Sequence, residues 1–156
     1  MDPKEKLSEH FTLGELIKSQ IAEEEGIDNN PPEELIPKLG RLCSDLLEPI
    51  RDHFGVPFSP NSGYRSPDLN KAIHGSSTSQ HCKAEAVDIE VPGVNNYDLA
   101  VWIKENLTFD QVILEKYQQG EQNSGWVHVS LKAQNEDNRF IALTYSNQKY
   151  TQGLIA

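Results

Sequence analysis

Two histidines and one aspartate stand out because the sequence around them can aim three metal-ligating side chains at one point. From Trp126 to Leu131 the chain alternates. Val127, Val129 and Leu131 share one face of a strand, and Trp126, His128 and Ser130 share the other. Ala86 to Val91 alternates likewise, with Val87, Ile89 and Val91 opposite Ala86, Asp88 and Glu90. An imidazole and a carboxylate on the non-core faces of two strands can be neighbours across a sheet. His81 lies seven residues before Asp88, about 23 Å of fully extended chain at roughly 3.3 Å per residue. The two meet only if Cys82-Lys83-Ala84-Glu85 reverses the chain. Three nitrogen and oxygen ligands with a fourth place open to water form the arrangement expected of a catalytic zinc; closed structural sites take four protein ligands, often thiolates. Spacing alone leaves the ordinary alternative standing, in which these are surface or hydrogen-bonded histidines.

The elements that must position these residues are legible to different degrees. Thr12 and Glu15 form a capping box ahead of the apolar stripe Leu13, Leu16 and Ile17, a helix expected to stop near Gly26. Leu35, Leu39, Leu42, Leu46, Ile50 and Phe54 recur at gaps of three and four, which predicts a main core helix ending at Gly55 with a kink or break at Pro49. Asn61 to Pro67 reads as a strand end entering a turn, followed by a short helix over Asp68 to Ile73. His74-Gly75-Ser76-Ser77-Thr78-Ser79 has almost nothing to bury, so its value is chemical or conformational. A helix opened by Asn95 or Asn96 carries Leu99, Trp102, Ile103 and Leu107, and strands are expected over Asp110 to Glu115, Trp126 to Leu131 and Phe140 to Tyr145. Helices first and strands later favour an α+β fold, with N-terminal helices packed on a mainly antiparallel sheet, in a single domain spanning residues 1–156.

Composition narrows the function. With 24 acidic against 14 basic residues the formal charge is -10 and the pI about 4.9, which disfavours nucleic acid or anionic lipid as a partner. No apolar run approaches the roughly 18 residues of a membrane span, so no membrane insertion is expected. The start MDPKEKLSEHF lacks the apolar stretch of a signal peptide, and the chain is expected to be cytosolic when made and monomeric. Cys43 and Cys82 are too few for a disulfide scaffold and are expected to be reduced thiols. Cys82 adjoins His81, but a thiolate ligand there would fill the open position. His10 and His53 read as surface or helix-end residues, and His74 sits in the polar loop.

Taken together, Ser62-Gly63-Tyr64-Arg65-Ser66, Ser79-Gln80-His81, Ala86, Asp88 and Trp126-Val127-His128-Val129-Ser130 resemble the zinc D-Ala-D-Ala carboxypeptidase family, which includes bacteriophage endolysins and has the DD-peptidase/hedgehog fold. The opening His10-Phe11-Thr12-Leu13-Gly14-Glu15-Leu16 through Gly26-Ile27-Asp28-Asn29 is similar to the branch containing many phage and prophage proteins, and the likeness spans residues 7 to about 145. The resemblance implies zinc held by His81, Asp88 and His128, with peptidoglycan stem peptides as substrate. It places Arg65 near the metal, where a guanidinium binds a substrate carboxylate or the developing oxyanion. Ser79 is expected either to hydrogen-bond substrate or to start the turn, and Tyr64 and Trp126 either to line the cleft or to pack.

Two positions depart from the family pattern. Many relatives carry an acid three residues before the last ligand, where this chain has Gly125, and the residue five before is Asn123. The nearest acids are Glu115 and Glu90. Glu115 is the preferred general base, because a carboxylate ending an apolar strand can be desolvated and its proton affinity raised. Ala84 stands where glycine is frequent, which constrains the turn without removing a ligand. The implied activity is amide hydrolysis by a metallopeptidase, with carboxypeptidase and endopeptidase specificities both open. The rivals are a non-catalytic domain that binds peptidoglycan or a partner while retaining the metal-site fold, and a purely structural metal domain. A cytosolic enzyme would reach the wall through a holin, lysis or a virion, or would trim wall precursors inside the cell.

Overall fold

The capping box at Thr12 forms. The Thr12 hydroxyl accepts from the Glu15 N–H, the Glu15 carboxylate accepts from the Thr12 N–H, and α1 (Leu13–Ile17) buries Leu13 and Leu16. In this computed structural model, which describes residues 1–156, the helix does not run on to Gly26. Lys18 is extended, Ser19 caps a new helix by accepting from the Ala22 N–H, and α2 (Gln20–Glu25) ends at Gly26 in the left-handed region. A serine hydroxyl offers the backbone a partner that helix propagation does not, which is why it starts a helix better than it continues one.

The long core helix has three parts: α3 (Ile36–Leu42), one wide π-type turn (Cys43–Leu47) and α4 (Glu48–Phe54), closed by Gly55 at φ 68°. Pro49 does not break it. The Glu48 N–H reaches back to the Cys43 carbonyl, and the widened turn accommodates the proline ring as a bulge. Leu39, Leu42, Leu46 and Ile50 are almost wholly buried along this helix, each side chain worth roughly 1.5–3 kcal/mol of burial.

Five strands make one sheet in the order β1-β3-β2-β4-β5: β1 (Ala86–Ile89), β2 (Gln111–Glu115), β3 (Trp126–Ser130), β4 (Ile141–Ser146) and β5 (Lys149–Gln152). Every pairing is antiparallel except β2 with β4, so the mainly antiparallel α+β expectation holds. The sheet has one strand more than the sequence suggests. β5 is exposed throughout and joins β4 through Asn147 and Gln148, both at positive φ, the backbone of a tight hairpin. Two further helices, α5 (Pro67–Ala72) and α6 (Asn96–Asn106, opened by Asn95), complete the chain. No helix is long and apolar enough to cross a membrane. Val87, Ile89, Val112, Leu114, Val127 and Val129 put one sheet face into the same core as the helices, which leaves the alternate residues on the other face.

Candidate metal centre

Strand register sets two of the three candidate ligands. Asp88 on β1 pairs directly with His128 on β3, and His128 pairs with Ile113 on β2. The outer edge of β1 is covered by the chain around Ser62: the Asp88 N–H donates to the Ser62 carbonyl at 2.8 Å and the Asn61 N–H to the Asp88 carbonyl at 2.7 Å. Gly63 then passes so close to Leu16 that a Cβ would lie 2.3 Å from the Leu16 carbonyl oxygen. That approach lets the Tyr64 N–H bond Leu16 at 2.7 Å and brings Arg65 alongside, its N–H on the His81 carbonyl at 3.2 Å.

His81 arrives by the required reversal. A single 3-10 turn, Gln80–Lys83, is capped by the Ser79 hydroxyl, which accepts from the His81 N–H at 3.2 Å, and Ala84 then bends the chain at φ 56°. Alanine tolerates here a left-handed backbone that costs roughly 1–2 kcal/mol for a residue with a Cβ. The His81 ring is 2% exposed.

The three side chains converge. His81 Nε2 lies 3.2 Å from Asp88 Oδ1, and His128 Nδ1 lies 3.1 Å from the same oxygen. One ligand atom from each residue falls within a 4.8 Å cluster. His81 Nδ1 sits 2.7 Å from the Gly63 carbonyl. A carbonyl only accepts, so Nδ1 carries a hydrogen and Nε2 is the nitrogen that faces Asp88. That Nε2 is buried and makes no hydrogen bond. Burial pushes the Asp88 carboxyl up, but His81 and His128 outweigh it and hold the group well below the usual carboxylate range. A buried, orphaned imidazole nitrogen facing an ionised carboxylate fits a divalent cation with nitrogen and oxygen ligands. Cys82 is outside this cluster.

The cluster opens into a cleft of about 560 Å³. Arg65 lines it with its Nε buried and unpartnered and no carboxylate in ion-pair range. Ser79 lines it while capping the His81 turn, Trp126 lines it with a buried, unpartnered Nε1–H, and His74 stands at its rim. Tyr64 does not line it: the side chain is 3% exposed and belongs to the hydrophobic core, a correction to its expected place in the cleft. His10 bonds Glu48, and His53 stacks on Trp102.

Glu115 ends β2 opposite Trp126 and lines the same cleft. Burial pushes its carboxyl above the ordinary value; His128 opposes the shift and Asp88 adds to it. Glu90, the other acid considered, is exposed, bonds Asn61 at 3.0 Å and lies outside the cleft. Sequence reasoning gave no site role to Gln80, Gln111, Ile113, Lys116 and Tyr150, which also line the cleft. Adjacency to His81 was the only signal for Gln80, and β5, which carries Tyr150, had no apolar alternation to announce it.

An imidazole-carboxylate-imidazole cluster with a desolvated glutamate in the same open cleft is an arrangement able to hold a metal ion and to carry out hydrolysis. A sequence model of the peptidase M15 family matches residues 9–130, a stretch that contains His81, Asp88, His128, Arg65 and Glu115. The chain belongs to the peptidase M15 family. Family membership supports a peptidase hydrolase, and the His81-Asp88-His128 group is able to hold the metal on which such peptidases typically depend. A comparison with curated proteins finds no match.

Proposed function

We propose that this chain is a zinc-dependent peptidase that hydrolyses peptide bonds in peptidoglycan stem peptides, as a D-Ala-D-Ala carboxypeptidase or a murein endopeptidase. The observation that carries the reading is the buried His81 Nε2, without a hydrogen bond and aimed into a cluster with Asp88 and His128 in an open cleft. His81, Asp88 and His128 would hold the ion. When bound, zinc supplies a Lewis acid and lowers the proton affinity of water.

The protein's own groups supply the rest. Glu115, ionised and poorly solvated, takes the proton from the attacking water and returns it to the leaving amine. Arg65, with no carboxylate partner of its own, offers donors to the tetrahedral oxyanion or to a substrate carboxylate. The Ser79 hydroxyl gives the cleft wall a polar contact for an extended peptide, and the Trp126 side chain lines the same wall. The enzyme works as a monomer and reaches its substrate after release from the cytoplasm by a holin, by lysis or within a virion. Digestion of purified peptidoglycan with the zinc-loaded protein, followed by mass spectrometry of the products, tests the reading and identifies the bond. Zinc-dependent release of D-alanine or of cleaved stem peptides is expected. Intact muropeptides bound without cleavage would instead establish a non-catalytic wall-binding domain.

A further inference from the structure

We infer that Gln80, itself held by Asp110 and Arg139, is a positioning residue that decides which nitrogen of the His128 ring carries the hydrogen and thereby turns a bare Nδ1 toward the metal. The inference rests on the metal-centre reading above. The Asp110 side chain is wholly buried just before β2 and receives four N–H groups. The Arg139 N–H and Nε–H donate to Oδ1, each at 3.0 Å, while Arg139 Nη2 and Gln80 Nε2 donate to Oδ2 at 2.7 and 3.0 Å. A carboxylate clamped by an arginine accepts and does not donate. Gln80 must therefore turn its NH2 group toward Asp110, which leaves its Oε1 on the other side, 3.1 Å from His128 Nε2.

An amide oxygen also only accepts, so His128 Nε2 carries a hydrogen. Nδ1, 3.1 Å from Asp88 Oδ1, is then the nitrogen left for a cation, and it stands bare in a neutral ring when a cation offsets the Asp88 charge. The reverse tautomer would need Gln80 to flip and set its oxygen against an Asp110 oxygen at 3.0 Å. The two rings of the site are thus oriented by different devices. A main-chain carbonyl at Gly63 fixes His81, and a side-chain relay fixes His128. The relay is a product of topology. β2 and β4 are the one parallel pair, so the residues entering them lie side by side and Arg139 meets Asp110.

The tautomer can be read in the metal-free protein from long-range proton–nitrogen NMR spectra of labelled histidine, at a pH where the rings are neutral. The wild type is expected to show a hydrogen on His128 Nε2, and a wild-type ring with Nε2 bare overturns the inference without need of any variant. Gln80→Leu keeps the bulk and removes the amide. It should admit the Nδ1–H form bonded to Asp88 and weaken zinc binding, measured by competition with a chromophoric chelator, by about 10–100-fold. An unchanged tautomer and unchanged zinc affinity in Gln80→Leu would overturn the relay. A wild type that takes up no zinc would defeat the metal reading instead, while the tautomer spectra still decide the role of Gln80.

Discussion

The Glu115 carbonyl oxygen occupies the space that a side chain at Gly125 would need: a Cβ there would lie 1.8 Å from it, on a backbone at φ 63°. The position where the family resemblance leads one to expect an acid is therefore closed by main chain, and Glu115 itself lines the cleft. Replacing Glu115 by Gln should lower kcat by about 10²- to 10⁴-fold, the usual contribution of a general base, with zinc content and substrate affinity retained. Turnover close to the wild-type rate would remove Glu115 from the mechanism.

The raised proton affinity of Glu115 has two signatures of defined sign. Burial is its main cause, and the base works only when ionised. The acid limb of kcat/KM should therefore lie above the ordinary 4.5 of a glutamate. The same shift costs stability, because the native state holds this proton more tightly than the unfolded chain does. Its contribution is fully present below pH 4.5 and lost as pH rises through the raised value. Metal-free Glu115→Gln should therefore melt above the metal-free wild type at neutral pH, and the two melting curves should converge in acid. A variant less stable than the wild type at pH 7 would contradict a desolvated carboxylate.

Much of the site was legible because it depends on period-two alternation. Val87 and Ile89 against Asp88, and Val127 and Val129 against His128, fix faces before any partner is known, and direct cross-strand pairing of Asp88 with His128 does the rest. The His81 reversal was legible as a requirement of chain length. Less local features were not. Nothing near Gln80 announces Asp110, which reaches it only through folding, and Arg139 reaches Asp110 only through the parallel pairing of β2 and β4. β5 is exposed on every residue, so it left no apolar pattern. The kink or break predicted at Pro49 takes the form of a π-type turn just before it, with the Leu39, Leu42, Leu46 and Ile50 face still packed in the core on both sides of that turn. Tyr64 sits in a motif read for chemistry, yet burial decided its place.

Metal binding should be visible as stability. A ligand that binds only the native state stabilises it by about 2.7 kcal/mol at a free concentration 100 times Kd, and for a domain of this size each kcal/mol raises Tm by roughly 2–4 °C. Zinc should thus raise the melting temperature of the wild type by several degrees, reversibly with chelator. His128→Ala removes a candidate ligand that lies on the cleft side of β3, away from the core face formed by Val127 and Val129. Its chelator-treated Tm should stay near that of the wild type while the zinc-dependent increment disappears. An equal zinc shift in both proteins would place the ion elsewhere.

Gly125 and Gly120 make a controlled pair for the contact that shuts out the expected acid. Both have positive φ, 63° and 90°, but a Cβ at Gly120 meets nothing within 4 Å, whereas one at Gly125 runs into the Glu115 main chain. Alanine at either position incurs left-handed strain of roughly 1–2 kcal/mol. Only Gly125→Ala adds overpacking, worth about another 1–3 kcal/mol, and only there does relief require the end of β2 to move. Urea unfolding should accordingly rank Gly125→Ala below Gly120→Ala in stability. Peptidase activity should fall in Gly125→Ala alone, because the displaced strand end carries Glu115. Equal stabilities and equal rates would show that the β2 end yields freely, and the exclusion of a side chain at position 125 would then have no steric basis.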